Sequence, residues 1–266
     1  VVSDMDGTLL DGDGNIPSQL WPLLETMRDR AIAFVPASGR QCTTLSTMFG
    51  SHLQGMPIIA ENGTYVVRDG VDISSSTIDP NLTREVITGV RQLRNDGHDV
   101  GLVVATKSIA YLERGDDPFV SHVATYYHSH RIVKDLSEHT DDVIKLSIYD
   151  FREASEATYP TMQRTAPEHQ VILATPNWVD IMNPGVNKGS AVEAVQRDLG
   201  VTADQTAIFG DFLNDLEMMP MAKWSFAMAN GHPNIVKASN YVAPPNTENG
   251  VITVLAALLG TRVPIT

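Results

Sequence analysis

Short apolar runs alternate with longer stretches of helical periodicity near both ends of the chain, and this alternation restricts the possible folds more than any other feature. The apolar runs at 1–3, 31–36 and 57–60 read as strands, and leucines at helical spacing over 17–30 predict a helix between the first two. The same rhythm resumes after residue 184. Strands and helices that alternate in this way predict an α/β fold with a parallel sheet.

The middle of the chain, residues 79–182, follows a different pattern. Helices are predicted over 80–94 and 152–165, with short strands among them, and the regular strand–helix repeat is lost. We therefore expect an α+β domain inserted into the first one. The expected division is a first domain of residues 1–78 and 183–266 and an inserted domain of residues 79–182.

Length and charge narrow the class of protein. With 266 residues the chain is long enough to bury two cores, which agrees with one domain inserted into another. Thirty-two acidic residues against 19 basic ones give a formal charge of −13, and the basic residues are scattered. A chain with this charge distribution is a poor partner for nucleic acid or an anionic membrane surface, so we expect it to bind neither.

The number of cysteines and the length of the apolar runs indicate where in the cell the protein resides. Cys42 is the single cysteine, so no internal disulfide can form, and we expect a cytoplasmic protein. The longest apolar stretches, such as 251–259, are well short of the roughly 18 to 20 residues that cross a bilayer. The N-terminus has no basic segment followed by an apolar run of signal-peptide type. Because the sequence begins at Val1 without Met, we expect a few residues to precede it.

Two carboxylates stand directly after the first predicted strand, in the run Asp4-Met5-Asp6-Gly7-Thr8. Ligands of open α/β sheets bind beyond the carboxyl ends of the strands, so Asp4 and Asp6 are expected to project into that crevice. Repulsion between two close carboxylates raises one pKa, and a divalent cation relieves this repulsion while it holds a phosphate oxygen. A solvated acidic turn is the alternative for this segment taken alone.

A second acidic cluster follows another predicted strand and contains Asp211, Asn214 and Asp215. Asp211 is placed to complete a Mg²⁺ site with Asp4. A helix predicted over 214–221 would present Asn214 and free N–H groups to an anion. Asp215 would orient its neighbours or bind a metal-held water. A helix N-cap is the alternative role for either Asn214 or Asp215 taken alone.

Two further segments supply groups that suit a phosphate. Ser38, Gly39 and Arg40 follow the second predicted strand, where a hydroxyl, backbone N–H groups and a helix N-terminus converge. Lys188 begins a helix predicted over 188–199, an unfavourable place for a cation unless an anion lies beside it. A helix cap and a solvated lysine are the alternatives for Ser38 and Lys188. Together, the four segments supply the nucleophile, acid or base, metal ligands and cation that phosphoryl transfer needs.

These motifs, in this order and spacing, resemble those of the haloacid dehalogenase superfamily, and within it the Cof-type hydrolases with an α/β cap of type IIB. The matching segments are Asp4 through Leu10 for the first motif, Ser38-Gly39-Arg40 for the second, Lys188-Gly189 for the third and Gly210 through Asp215 for the fourth. Glu61-Asn62-Gly63 is typical of the Cof-type subgroup. The resemblance covers nearly the whole chain and implies a Rossmann-like parallel-sheet core with an inserted α+β cap.

The resemblance also implies a role for each matching residue. Asp4 would be the nucleophile and a Mg²⁺ ligand. Asp6 would be the general acid and then the general base, and its backbone carbonyl would be a second ligand. Asp211 would be the other protein ligand. The implied phosphate-binding residues are Ser38, Gly39, Lys188 and Asn214. The further site candidates are Thr8, Arg40, Asn62 and Asp215.

The function implied is that of a Mg²⁺-dependent phosphoric monoester hydrolase that acts on small phosphorylated metabolites through an aspartyl phosphate. Sugar phosphates, hexose phosphates foremost, are the expected substrates, with pyridoxal phosphate and flavin mononucleotide as alternatives. The cap would close over the site and select the leaving group. A monomer or a weak homodimer is expected.

Two other functions remain open. A phosphomutase would return the phosphoryl group to another position of a sugar, and would therefore release isomerised sugar phosphate instead of inorganic phosphate. A non-catalytic sensor would use Asp4 as a phosphoacceptor, but Asp6 would then have no task.

Overall fold

The computed structural model describes residues 1–261. Its strands are β1 (Val2–Asp4), β2 (Val35–Ala37), β3 (Pro57–Ala60), β4 (Tyr65–Arg68), β5 (Val71–Ser75), β6 (Val100–Thr106), β7 (Ala110–Leu112), β8 (His130–Ile132), β9 (Val143–Asp150), β10 (Gln170–Leu173), β11 (Trp178–Met182), β12 (Ala207–Gly210), β13 (Trp224–Met228) and β14 (Tyr241–Ala243). Its α-helices are α1 (Leu20–Asp29), α2 (Cys42–Phe49), α3 (Pro80–Asn95), α4 (Asp117–Tyr126), α5 (Thr158–Thr165), α6 (Lys188–Leu199), α7 (Pro233–Ala238) and α8 (Gly250–Leu259). Within that range, every helix is too short or too polar to span a bilayer.

These elements form two units, each with its own dense internal contacts. Among the described residues, the first unit comprises Val1–Gly39, Leu45–Ser74 and residues 187–261. The second unit comprises Arg40–Thr44 and Ser75–Val186. The short segment Arg40–Thr44 therefore groups with the second unit, although the chain on both sides of it belongs to the first.

The first unit is built on an eight-stranded sheet in the order β14-β13-β12-β1-β2-β3-β4-β5. From β14 to β3 all neighbouring strands run parallel, and β4 pairs antiparallel with β3. Every residue of β1, β2, β3 and β12 is buried, as expected for the central strands of a parallel sheet. The predicted α/β fold class with a parallel-sheet core is confirmed.

Helix α6 shows how local sequence determines an element that carries a site residue. The Ser190 N–H donates to Asn187 Oδ1 at 2.9 Å, and the Asn187 N–H donates to the Ser190 hydroxyl at 3.1 Å. This reciprocal cap satisfies N–H groups that have no partner within the first turn. Gly200 ends the helix in the left-handed conformation, at φ 65°. The helix has the predicted bounds because its caps and its apolar spacing both indicate a helix over residues 188–199.

The second unit contains a six-stranded sheet in the order β10-β11-β9-β6-β7-β8. Its neighbours are antiparallel except for β7 and β8, which run parallel. Alternation along β9 sends Leu146 and Ile148 into one apolar cluster, with residues of α3 and α5. Tyr149 lies in another cluster with residues of α4, such as Phe119 and Val123. The helices of this unit therefore pack against its sheet in two separate apolar clusters, one with α3 and α5 and the other with α4.

The helix predicted over 152–165 is shorter in the structure, because α5 begins only at Thr158. Asp150 accepts hydrogen bonds from the Arg152 N–H at 2.9 Å and from the Thr158 hydroxyl at 2.6 Å. These bonds hold the intervening residues in a turn instead of a helix, as Asp side chains often do. Strand β8 was not predicted at all, because its three residues carry no alternating pattern.

The helix predicted over 214–221 is wrong. Short 3₁₀ turns occupy Leu213–Asp215 and Met219–Met221 instead. Pro220 lacks an N–H and disfavours a helical conformation for the residue before it, so an α-helix cannot continue through this position. The sequence interpretation also missed α7 and β14, whose few residues give no clear periodicity.

Candidate active site

The register of the first sheet brings the sequence motifs to one edge. Asp4, the last residue of β1, pairs with Ala37 of β2, and Ser3 pairs with Phe209 of β12. Ala37 pairs in turn with Ile59 of β3. Because these strands are parallel, the residues that follow them leave the sheet at the same end. The motifs after β1, β2, β3 and β12 therefore lie along a single carboxyl edge.

The turn after β1 separates the two acidic side chains of the first motif. Asp4 is buried, with 5% of its surface exposed, whereas Asp6 is exposed. Gly7 adopts φ 80°, and a Cβ on this residue would lie 2.4 Å from Asp211 Oδ2. The Thr8 hydroxyl donates to Asp211 Oδ1 at 2.9 Å. The turn thus packs Gly7 and Thr8 against Asp211, and a side chain at position 7 would displace the Asp211 carboxylate.

Lys188 begins α6, and its side chain is fully buried. The ammonium group donates to Asp4 Oδ1 at 2.5 Å and to Asp215 Oδ1 at 2.6 Å. A cation at a helix N-terminus opposes the helix dipole, and a buried cation is costly unless anions surround it. These two carboxylates supply the anionic partners that the position of Lys188 requires.

Asp215 connects Lys188 to the loop that carries Asp211. It is fully buried, and its Oδ2 accepts hydrogen bonds from the N–H groups of Asp211 at 2.9 Å and of Phe212 at 3.2 Å. The other carboxyl oxygen accepts from Lys188. This side chain therefore orients its neighbours and holds the loop after β12 in a compact turn.

Burial and like charge shift the pKa values of the clustered groups. Burial raises the pKa of Asp4 well above its ordinary value, the charge of Asp215 adds to the increase, and Lys188 opposes it. Burial and Asp215 raise the pKa of Asp211 to about 6. Burial by itself would lower the pKa of Lys188, but the charges of Asp215 and Asp4 outweigh burial and hold this pKa above its ordinary value. Lys188 thus forms ion pairs with two of the three carboxyl groups, Asp4 and Asp215.

The same three carboxyl groups fit a divalent metal ion. Oxygen atoms of Asp4, Asp211 and Asp215 lie within 4.8 Å of one another. Hard divalent cations prefer carboxylate oxygens, and such a cation would offset the burial and the like charge that raise the pKa values of Asp4 and Asp211. The sequence points to Asp4, Asp6 and Asp211 as ligands, so Asp215 is an addition to the expected carboxylates. The side chain of Asp6 lies outside this group, and its expected ligand atom is the backbone carbonyl.

Polar groups after β2, β3 and β12 form a second cluster at the same edge. The Ser38 N–H donates to Ile59 O, and the Asn62 N–H donates to Ser38 O, both at 2.9 Å. Asn214 Nδ2 donates to Asn62 Oδ1 at 3.1 Å. A Cβ at Gly39 would lie 3.1 Å from the same amide oxygen. The structure therefore brings Ser38, Gly39, Asn62 and Asn214 together, as a group rich in hydroxyl, amide and backbone N–H functions.

Arg40, the remaining site candidate, contacts the end of α4. Its Nη1 donates to Thr125 O at 2.9 Å, and the guanidinium carbon lies 5.3 Å from the centroid of the Tyr126 ring. Both contacts lie within the second unit. These contacts hold the Arg40 side chain against the end of α4.

Sequence reasoning missed one strand end that supports the site. Asn230 follows β13, and its Nδ2 donates to Gly7 O at 2.8 Å. The His232 N–H donates to Asp211 O at 2.7 Å. These bonds hold the loops that carry Gly7 and Asp211. The signal available in the sequence was the polar pair Asn230-Gly231, which directly follows residues 225–229, a short run that reads as a strand.

Comparisons with known proteins agree with this architecture. The sequence model of a family described as haloacid dehalogenase-like hydrolase matches residues 1–255. A curated relative, the 5-amino-6-(5-phospho-D-ribitylamino)uracil phosphatase YbjI of Escherichia coli, is 28% identical over 271 residues, which cover 99% of this chain and 97% of that protein. The crystal structure of SMU.1108c from Streptococcus mutans superposes on this chain with a TM-score of 0.85 at 24% sequence identity. The superposition covers 98% of each chain.

A haloacid dehalogenase sugar phosphatase of subclass IIB has a TM-score of 0.80 at 20% identity, with 97% of each chain covered. At this identity the two solved structures establish the fold, a Rossmann-like core with an inserted α+β cap. The family match extends over almost the whole chain, and the expected relationship is confirmed. The chain therefore belongs to the haloacid dehalogenase-like hydrolase family, as a phosphatase of the Cof type.

Proposed function

We propose that this phosphatase is Mg²⁺-dependent and hydrolyses small phosphorylated metabolites, foremost sugar phosphates, through an aspartyl phosphate on Asp4. The observation that carries the proposal is the buried ion pair of Asp4 with Lys188, whose Oδ1 and Nζ atoms lie 2.5 Å apart. A carboxylate held by a buried cation keeps one orientation, which favours in-line attack on a phosphoryl group. The same cation offsets charge on the phosphoryl oxygens.

In this proposal the reaction has two steps. Asp4 attacks phosphorus in line while the bond to the leaving oxygen breaks, and protonated Asp6 donates its proton to the leaving alkoxide. Water then attacks phosphorus, Asp6 takes a proton from it, and the bond between phosphorus and the Asp4 oxygen breaks to release inorganic phosphate. The exposure of the Asp6 side chain supports its role, because an acid and base must reach both the leaving group and water.

The polar cluster after β2, β3 and β12 holds the phosphoryl oxygens. Ser38, Gly39 and Asn214 are the proposed phosphate-binding residues, together with Lys188. Asn62 supports them, because its amide oxygen accepts from Asn214. Preorganised donors of this kind stabilise the transition state without a reorganisation cost.

The proposed Mg²⁺ ligands are the carboxylates of Asp4 and Asp211 and the backbone carbonyl of Asp6. When bound, the ion would neutralise charge on the phosphoryl group. Thr8 orients Asp211 through the 2.9 Å hydrogen bond. Asp215 orients both Lys188 and the loop after β12, and its carboxylate can also hold a metal-bound water.

The names of similar proteins support the substrate class. The Escherichia coli relative is named for a phosphorylated ribitylamino-uracil, and the subclass IIB structure for sugar phosphates. Both are small phosphate esters that carry several hydroxyl groups. We assign phosphoryl chemistry to residues 1–78 and 183–266, and selection of the leaving group to residues 79–182. We further propose a cytoplasmic monomer or weak homodimer whose partner is the metabolite itself.

The test is phosphate release from a panel of sugar phosphates, pyridoxal phosphate and flavin mononucleotide, with Mg²⁺ and with a chelator. The wild type is compared with Asp4→Asn and with Asp13→Asn, which removes an exposed carboxylate outside the site. We expect Mg²⁺-dependent release that Asp4→Asn abolishes and Asp13→Asn leaves intact. Rapid-quench detection of an acid-stable, hydroxylamine-sensitive phosphoprotein would identify the aspartyl phosphate.

Other outcomes would contradict the proposal in distinct ways. Turnover that persists in Asp4→Asn would rule out this residue as nucleophile. Isomerised sugar phosphate without inorganic phosphate would identify a mutase. A folded wild type that binds Mg²⁺ and releases no phosphate from any panel member would contradict general phosphatase activity.

A further inference from the structure

Two buried polar side chains follow the proposed phosphate-binding loop and have no part in the chemistry described above. Gln41 and Thr44 are each 0% exposed, and they come shortly after Ser38 and Gly39 in the chain. A polar side chain is costly to bury unless it finds hydrogen-bond partners. The partners of Gln41 and Thr44 therefore indicate what these residues do.

Gln41 clasps the backbone of a single residue, Ser129. Its Oε1 accepts from the Ser129 N–H at 3.0 Å, and its Nε2 donates to Ser129 O at 3.1 Å. The Gln41 backbone N–H also donates to Tyr126 O at 3.0 Å. The side-chain amide thus bonds Ser129 as a neighbouring strand would, with one donor and one acceptor.

Thr44 makes a second connection to the same segment. Its hydroxyl donates to Tyr126 O at 2.9 Å and accepts from the His128 N–H at 3.1 Å. One hydroxyl group therefore satisfies backbone groups of two residues. Together, Gln41 and Thr44 fasten the short segment 40–44 to Tyr126–Ser129, and both segments belong to the second unit.

The segment Tyr126–Ser129 is itself anchored by a buried network. The Tyr127 hydroxyl lies 3.0 Å from Ser147 Oγ, and Ser147 donates to Asp180 Oδ1 at 2.6 Å. Asp180 Oδ2 lies 3.5 Å from Lys145 Nζ. All four side chains are buried. A buried, hydrogen-bonded charge network resists displacement, because breaking it leaves a charge without its partner.

We propose that Gln41 and Thr44 are positioning residues for phosphate binding. They fasten the chain directly after Ser38 and Gly39 to the anchored segment Tyr126–Ser129. A single residue separates Gly39 from Gln41, so a fixed Gln41 restricts the backbone conformations open to the loop. A loop held in its binding conformation loses less entropy when phosphate binds, and binding is correspondingly tighter. The inference rests on the proposed function, because it takes Ser38 and Gly39 as phosphate-binding residues.

The experiment measures the dissociation constant of inorganic phosphate by calorimetry, in the presence of Mg²⁺, together with kcat and KM for the best panel substrate. Thr44→Val removes the hydroxyl and keeps the shape, while Thr44→Ser retains the hydroxyl. We expect Thr44→Val to weaken phosphate binding about three- to tenfold, the usual effect of one hydrogen bond. KM should rise by a similar factor with a smaller change in kcat, and Thr44→Ser should bind phosphate as the wild type does.

Thr158→Val is the matched control for a purely structural effect. Thr158 is equally buried in the second unit and donates to Asp150 Oδ2 at 2.6 Å, far along the chain from the phosphate-binding loop. We expect this variant to lose thermal stability yet to bind phosphate normally. If Thr44→Val does not fold, Gln41→Met removes the amide clasp and tests the same connection.

Two results would overturn the inference. The first is unchanged phosphate affinity in a folded Thr44→Val or Gln41→Met, and the second is an equal loss of affinity in Thr158→Val. Ser38→Ala separates this inference from the proposed function. If Ser38→Ala weakens phosphate binding and Thr44→Val does not, the positioning role alone is wrong. If Ser38→Ala also binds phosphate normally, the assignment of the loop is wrong, and the positioning role with it.

Discussion

The ammonium group of Lys188 lies 2.5 Å from Asp4 Oδ1, and both side chains are buried. The two residues are 184 positions apart in the chain, one at the end of β1 and the other at the start of α6. The first strand and a helix from the last third of the sequence thus meet at the proposed nucleophile. An intact first unit is therefore required before Asp4 acquires its orientation.

Lys188→Met should lower kcat/KM by about 100-fold or more, because it removes the cation that orients Asp4 and offsets phosphoryl charge. It should also lower the free energy of unfolding by roughly 3 kcal/mol, because two buried carboxylates lose their partner. Steady-state kinetics and denaturant titration measure the two effects. Lys223→Met is the control, since Lys223 is 59% exposed and lies 3.4 Å from Asp204. Equal effects of the two substitutions would contradict the role of Lys188.

Gly7→Ala should raise the Mg²⁺ concentration needed for half-maximal activity about tenfold or more, because the added methyl displaces a metal ligand. A Cβ at position 7 would lie 2.4 Å from Asp211 Oδ2. Gly14→Ala is a close control, because Gly14 has φ 79° and no heavy atom within 4 Å of its Cβ position. Both variants bear similar backbone strain, and only the first displaces Asp211. A metal requirement that changes equally in both would contradict this explanation.

The metal-free protein should become less stable as pH rises from about 4 to 6. The pKa of Asp211 is 3.8 ordinarily and about 6 in the fold, so the folded state binds more protons across this interval. Stability falls with rising pH wherever the folded state binds more protons, and two pKa units correspond to at most about 3 kcal/mol. Above pH 6 the contribution of Asp211 levels off, and the raised pKa of Asp4 acts in the same direction.

This pH dependence is measured from unfolding free energies in a chelator, compared between the wild type and Asp211→Asn. As pH rises from about 4 to 6, the unfolding free energy of the wild type should fall relative to that of Asp211→Asn. The control Asp13→Asn should show the same pH dependence as the wild type. Saturating Mg²⁺ should stabilise the wild type most near pH 6, the upper end of this interval, because the carboxylates are ionised there. A difference that stays constant with pH would show that Asp211 does not titrate in this range.

Asn62→Gly should raise KM about three- to tenfold with a smaller effect on kcat, because it removes the amide that supports Asn214. Asn62 adopts φ 57°, a conformation that glycine enters without strain, so the backbone turn survives the change. Asn249→Gly is the matched control, since Asn249 has φ 55° outside the proposed site. The measurement compares KM for the best panel substrate between the wild type, Asn62→Gly and Asn249→Gly. A KM unaffected in Asn62→Gly would exclude this supporting role.

Local signals account for the parts of the fold that sequence reasoning predicted correctly. The helix over 188–199 carries its own caps and apolar spacing, and its bounds in the structure are those predicted. The helix over 214–221 has a helical apolar pattern but contains Pro220, and the hydrogen bonds of Asp215 close a tighter turn there. In such segments tertiary contacts outweigh propensity.

The sequence by itself determined the class of fold and the residues at the strand ends, because apolar periodicity, caps and motif order are properties of neighbouring positions. Only the tertiary structure decided that Lys188 pairs with both Asp4 and Asp215, that Asp211 has a raised pKa, and that Gln41 clasps Ser129. These features depend on burial and on distances between residues far apart in the chain, and no local pattern of residues encodes either quantity.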